Sequence, residues 1–150
     1  MNGSQIEHYL RRFCGNVFMG VFPSDKLPRF ISRPALLVCN TDASHLPGLH
    51  WIAIFVDYDG RGEFMDSFGR EPGEPFLSFM YEQCRLWTYN DRQLQSVISS
   101  YCGHYVCYFG YRRCRGMNMN AIINLFGNDT ALNDYLVHKF VCRNKYVYEK

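Results

Sequence analysis

Residues Ser99–Phe109 read SSYCGHYVCYF, a cysteine beside a glycine with two serines ahead of it and an apolar run behind. From Cys102 the run continues as CGHYVCYFGYRRC, which predicts a helix with Ser99 and Ser100 available as caps. A cysteine in the first turn of a helix has unpaired backbone N–H groups and the positive end of the macrodipole beside its sulfur. Both favour thiolate, and a neighbouring imidazolium would favour it further. Gly103 leaves room for a substrate backbone to approach that sulfur. Three readings of Cys102 are open at this point: a half-buried packing residue, a metal ligand or a nucleophile. The zinc reading is weak on spacing, since Cys102, Cys107 and Cys114 with His104 lack a tight C-x2-C pair.

The rest of the chain bounds the answer. Its 150 residues suit one domain with a real core. The composition is 47% hydrophobic and 20% charged, that of an ordinary globule, and 17% aromatic, so the core should be built on rings. A net charge of +2 is too mild to argue for nucleic acid or an anionic membrane as an obligate partner. The start, MNGSQIEHYLRRF, lacks the apolar stretch of a secretory leader, and no run of about 18 uncharged apolar residues follows. The expectation is a soluble, unsecreted protein. Its seven cysteines, an odd number, are then expected to be reduced, mostly as small core hydrophobes.

Along the chain, Ser4 is a candidate cap for a first helix carrying Ile6, Tyr9, Leu10 and Phe13 on one face. GVFPSDKLPRF, broken by Pro23 and Pro28, reads as irregular. ALLVCN (Ala35 to Asn40) reads as a strand buried on both faces. HWIAIFV and GEFMDSF read as a hairpin turning at Tyr58-Asp59-Gly60. Met80 to Trp87 is ambiguous, and LQSVI could form another short strand. After the Cys102 helix come one around MNMNAIINLF and one from Asp129 or Thr130, with Leu132, Tyr135, Leu136, Lys139 and Phe140 as its stripe. The order predicts an α+β fold with helices packed on a small sheet.

His50 bears on the reading of Cys102. It opens the strand HWIAIFV, where Pro47-Gly48-Leu49 delivers it to the sheet edge. If the hairpin pairs Asp57 with Arg61, then Asp66 falls opposite Ile52 and diagonal to His50, about 7–8 Å away between backbones. Two side chains can close that gap, and a carboxylate on the far imidazole nitrogen fixes the tautomer that a Cys–His pair needs. Taken alone, Asp66 would be the turn-initiating acid of DSFG. Gln95 precedes Cys102 by seven residues, and a side-chain amide together with the nucleophile's own N–H can hold a developing oxyanion.

GLHWIAIF, then FMDSFG, then QSVISSYCGHYVCYF together resemble the adenain family of viral maturation cysteine proteases, and more distantly the SUMO-specific proteases. The likeness runs from about Gly20 to Phe109 and rests on the order His, acid, Gln, Cys, with Trp after the His. It implies a papain-like, adenain-like fold with the nucleophile at a helix N-terminus. It implies His50 as general base, Asp66 as its orienting acid, Gln95 in the oxyanion hole and Cys102 as nucleophile. It further implies that Trp51 walls a narrow channel admitting only glycine-like residues before the scissile bond. Adenain has glutamate where this chain has Asp66, the acid of the SUMO proteases, and this chain has much less sequence after the catalytic helix. At the position of Cys84, adenain carries a cysteine that bonds an activating peptide, so an activator disulfide at Cys84 is a further implication.

The expectation is therefore a cysteine endopeptidase that cleaves after small residues in viral or virus-like structural precursors, inside the cell or the virion. It needs no metal or organic cofactor beyond a possible activating peptide. The alternatives are an isopeptidase for SUMO or another ubiquitin-like modifier, and a non-catalytic protein-binding module on the same fold.

Overall fold

Two apolar strands organise the chain. In the computed structural model, which describes residues 1–146, β2 (Ala35–Asn40) and β3 (Trp51–Val56) pair antiparallel, with Leu37 against Ile54. β1 (Phe18–Phe22) lies parallel to β2, β4 (Arg61–Met65) antiparallel to β3, and β5 (Leu86–Tyr89) parallel to β4. Sheet order follows chain order, with β3 in the middle. Because strand side chains alternate, the two faces divide these apolar runs between them. Leu36, Val38, Ala53, Phe55 and Met65 join a core with α1 (Gly3–Cys14), α3 (Cys102–Arg113) and α5 (Thr130–Tyr146). Leu37, Cys39, Ile52, Ile54 and Phe64 face the other way, toward α2 (Phe76–Gln83) and the Leu27–Ile31 segment. This is the mixed α+β architecture expected.

The hairpin register is the one that the turn predicts. The Asp57 N–H donates to Arg61 O at 2.9 Å, Gly60 takes φ +81°, and Val56 pairs with Gly62 and Ala53 with Met65. One step further along that ladder sets Asp66 opposite Ile52.

α3 is the other organiser. Seven of its residues, from Gly103 to Gly110, are buried, and it packs on β3, α1 and α5. α1 runs alongside it in the same direction. Met1 lies over Gly103, Leu10 over Gly110, and Cys14 bonds Cys114 with a Cα–Cα distance of 5.7 Å. A Cβ on Gly103 would stand 2.9 Å from Met1 Cβ, and one on Gly110 would stand 2.6 Å from a Leu10 methyl. The two glycines, two turns apart, are what let the helices touch.

Several local expectations are corrected. α1 is capped by Asn2 and Gln5 in a reciprocal capping box, which leaves Ser4 inside the helix. FMGVF, partly read as irregular, forms β1, and the ambiguous stretch resolves into α2 and β5. LQSVI is no strand, because the Leu94 and Gln95 N–H groups both donate to Ser67 O in the turn after β4. Neither Ser99 nor Ser100 caps α3, whose N-cap is Tyr101 without a side-chain bond. The helix after α3 is short, α4 (Met119–Ile123), capped by Asn118.

The α5 stripe is turned. Leu136 and Phe140 pack on the core as expected, but Leu132 and Tyr135 are exposed, while Asn133, Asp134, Val137 and Val141 are buried. Polar bonds fix this rotation. Asn133 Nδ2 donates to Leu94 O and Gly127 O, and the Tyr105 hydroxyl donates to Asp134 Oδ1 at 2.8 Å. The expectation of wholly reduced thiols also fails at Cys14 and Cys114. Reasoning from an odd count could not foresee that parallel packing of α1 on α3 brings their last residues together. Cys39, Cys84, Cys102, Cys107 and Cys142 are free.

Candidate active site

His50 stands immediately before β3, Asp66 immediately after β4, and Cys102 is the first residue of α3. Sheet and helix therefore deliver all three to one end of β3. His50 and Asp66 are both buried, and His50 Nε2 lies 2.7 Å from Asp66 Oδ1. That leaves Nδ1 for the thiol of Cys102, which lies close enough to act on the His50 charge. The backbones of Trp51 and Gly103 lie beside the sulfur and favour its thiolate.

The charges follow from these contacts. Burial disfavours the His50 imidazolium, but its bond to Asp66 and the negative charges of Asp66 and Cys102 outweigh that and raise its pKa to about 9. Burial also opposes the Cys102 thiolate, yet His50 and the two neighbouring backbones bring its pKa below the ordinary thiol value. Asp66 is likewise lowered, its burial outweighed by His50, by the Phe68 N–H and by Arg70. The arrangement favours a thiolate–imidazolium pair backed by a carboxylate.

Asp66 makes the contacts of both readings considered for it. Its Oδ1 takes the Phe68 N–H at 2.8 Å, the turn-forming bond of DSFG, as well as the His50 ring. Gly69 is required in this turn, at φ +75° with Arg92 backbone 2.6 Å from a hypothetical Cβ. Asn90 holds the Asp66 backbone from the side, accepting its N–H at 2.9 Å and donating to its C=O at 2.6 Å. The sequence reading missed Asn90. The only signal for it was its place at the end of an aromatic strand.

Gln95 is almost wholly buried. Its Oε1 accepts from Ser67 Oγ at 2.6 Å, and Nε2 donates to Ser99 O at 3.0 Å and Ser99 Oγ at 3.1 Å. The amide is thus fixed close to the loop that enters α3, with its N–H groups taken by Ser99. Trp51 is half-buried. Its indole N–H donates to Met1 O at 3.2 Å, and its ring edge lies 3.5 Å from where Gly3 would carry a Cβ. The ring is covered in part by the first turn of α1, which the sequence could not show.

Gly103 needs a correction. Its open side is filled by Met1 and Ile6, so what its lack of a side chain admits is α1, while its backbone lies beside the Cys102 sulfur. Cys84 lies at the end of α2, half-buried, its sulfur over Gly62, and burial pushes its pKa up to about 11. Among the described residues, no three His, Cys, Asp or Glu side chains gather as metal ligands.

The chain is 30% identical over 120 residues to "Putative thiol protease R355" of Acanthamoeba polyphaga mimivirus, a match covering 73% of this chain and 37% of that protein. It therefore spans little over a third of the length of that curated relative. Among solved structures it is similar to the ASFV pS273R protease (TM-score 0.64, 20% identity, 92% of this chain and 66% of that one). The two share a fold. The central domain of the Lpg1148 protein of Legionella pneumophila shares it over the whole of this chain and 98% of its own (TM-score 0.59, 12% identity). So does ChlaDub1 of Chlamydia trachomatis, over 73% of this chain and 57% of that one (TM-score 0.50, 15% identity). No protein-family model matches the chain. Among the described residues no helix is long and apolar enough to cross a membrane.

Proposed function

We propose that the chain is a single-domain cysteine endopeptidase in which Cys102 attacks the scissile carbonyl. His50 holds the thiol proton as imidazolium and returns it to the leaving amine. Water then hydrolyses the thioester, with His50 as base. Asp66 keeps His50 in the right tautomer. The Cys102 N–H and Gln95 Nε2 hold the oxyanion, for which the amide must release one of its bonds to Ser99. The observation that carries the reading is the buried His50–Asp66 pair, at 2.7 Å, set beside the thiol at the start of α3, which acts on the His50 charge.

For the substrate, we propose a protein with glycine or another small residue before the cut, set by Trp51 beside the base. The natural substrates would be structural precursors of a virus or virus-like element, cleaved inside the cell or virion. The name of the mimiviral relative, a thiol protease, supports a viral setting. An activating peptide bonded through Cys84 is a weaker part of the proposal, since that thiol is held off thiolate and packed on Gly62.

The test is proteomic mapping of cleavage sites made by the wild type and by Cys102→Ala. SUMO- and ubiquitin-fused fluorogenic substrates are assayed beside glycine-rich peptides. Cysteine-dependent cuts after small residues are expected. Cleavage confined to the modifier fusions would move the assignment to an isopeptidase, and the absence of any Cys102-dependent cut would sink it.

A further inference from the structure

The turn that follows Asp66 lays two more side chains on the His50–Asp66 pair, and the chemistry above uses neither. The Phe68 ring stacks on the His50 imidazole, with centroids 4.8 Å apart and planes 27° from parallel. The Arg70 guanidinium lies over the Phe68 ring at 5.1 Å, and its Nε donates to Asp66 Oδ2 at 3.3 Å. Both oxygens of Asp66 are thereby engaged: Oδ1 by His50 and the Phe68 N–H, Oδ2 by Arg70.

We propose that Phe68 and Arg70 are positioning residues of this site: Phe68 fixes the plane of the His50 ring, and Arg70 sets how strongly Asp66 acts on it. The proposal rests on the cysteine-protease reading for its effect on turnover, but not for its effect on His50 itself. One hydrogen bond at Nε2 holds one corner of an imidazole and leaves the ring free to tilt. A flat aromatic face against it removes that freedom and keeps Nδ1 on the sulfur, and small errors of placement are costly to a reaction that needs aligned atoms. Arg70 works by charge. A cation on Oδ2 draws density from the carboxylate and weakens its hold on the imidazolium. Arg70 is mostly exposed, so solvent and salt reduce the effect. The groups that act on His50 are Asp66 and Cys102, and on Asp66 they are His50 and Arg70.

The turn itself does not depend on these side chains. Asn90 clamps the Asp66 backbone, and Ser67 O takes the N–H groups of Leu94 and Gln95. Substitutions at positions 68 and 70 should therefore fold.

The experiment is an NMR titration of the His50 ring in the wild type, Arg70→Ala and Arg70→Lys, which needs no substrate. Beside it, peptide turnover is measured for Phe68→Ala, Phe68→Leu and Phe68→Tyr, with Cys102→Ala as control. Arg70→Ala should raise the His50 midpoint by about 0.3–0.5 pH unit, with Arg70→Lys in between. Phe68→Ala and Phe68→Leu should lose about tenfold in kcat with KM nearly unchanged, and Phe68→Tyr should restore it. An unmoved His50 midpoint in Arg70→Ala overturns the role of Arg70. Equal kcat for Leu and Tyr at position 68 overturns that of Phe68. Turnover surviving in Cys102→Ala would sink the protease reading, and the titration would still decide the role of Arg70.

Discussion

The two ends of α3 are built on opposite principles. At its C-terminal end Cys114 is bonded to Cys14, and Arg113 is paired with Glu63 at 2.6 Å and set over the Phe55 ring. Glu63 also takes the Met119 N–H, so helix, sheet and following loop are tied at one point. At its N-terminal end there is no side-chain cap, and the first residue is a free thiol whose pKa is lowered by His50 and by the Trp51 and Gly103 backbones. Between the ends, Cys107 is fully buried, with burial pushing its thiol far above the ordinary value. One helix thus carries three cysteine environments: cross-linked, buried with its pKa raised, and beside a histidine with its pKa lowered. Neighbours decide which is which, since the residue type is the same. One end is fastened, and the other is left without a side-chain cap.

The sharpest way to break that contrast is to remove the reactive end. Cys102→Ala should abolish cleavage, and His50→Ala should cost a factor on the order of 10⁴–10⁶ in kcat. Gln95→Ala should cost about 10²–10³ if its amide reaches the oxyanion. Asp66→Asn should cost less than His50→Ala, because an amide oxygen can still accept the Nε2–H while the charge and the Arg70 bond are lost. Steady-state kinetics on one peptide rank all four. A silent Asp66→Asn would mean that the carboxylate is only a turn residue.

Thiol reactivity sharpens the same contrast without a substrate. Brief iodoacetamide treatment with peptide mapping should label Cys102 first, by an order of magnitude or more, and His50→Ala should slow that labelling. Cys84, with a pKa of about 11, should lag, and Cys39 and Cys107 should wait for unfolding. Rapid labelling of Cys84 would revive the activator disulfide.

The pH profile should show two limbs. Activity rises as Cys102 loses its proton, below the ordinary thiol value, and falls as His50 loses its own at about 9. Above that point kcat/KM should drop tenfold per unit. A profile that keeps rising past pH 10 would deny the ion pair.

The smallest effect on activity belongs to the fastened end. Cys14→Ser/Cys114→Ser should lower unfolding free energy by about 2–4 kcal/mol in denaturant titrations, since the bond closes a long loop. Turnover at 25 °C should be nearly unchanged. A large loss of kcat in the folded variant would mean that the tie at one end sets the thiol at the other.

How much of this was legible varies residue by residue. The β2 and β3 runs, the turn at Gly60 and the thiol at a helix start are written locally, in apolar continuity and turn chemistry. From the turn alone the register placed Asp66 opposite Ile52, because a hairpin counts residues from its loop. α5 was misread because Asn133 and Asp134, polar on paper, are buried by partners at Leu94 and Tyr105 that lie far off in sequence. Gly103 was assigned to the substrate because its partner, Met1, is distant in the chain.

The sequence by itself determined β2, the β3–β4 hairpin and the order of His50, Asp66, Gln95 and Cys102, because periodicity and turn geometry act over a few residues. Only the tertiary structure decided that α1 lies along α3, that Cys14 meets Cys114, that Phe68 and Arg70 flank the His50–Asp66 pair and that Gln95 is held by Ser67 and Ser99. Those are contacts between elements, set by which surfaces fit once the apolar faces are buried, and no local pattern encodes them.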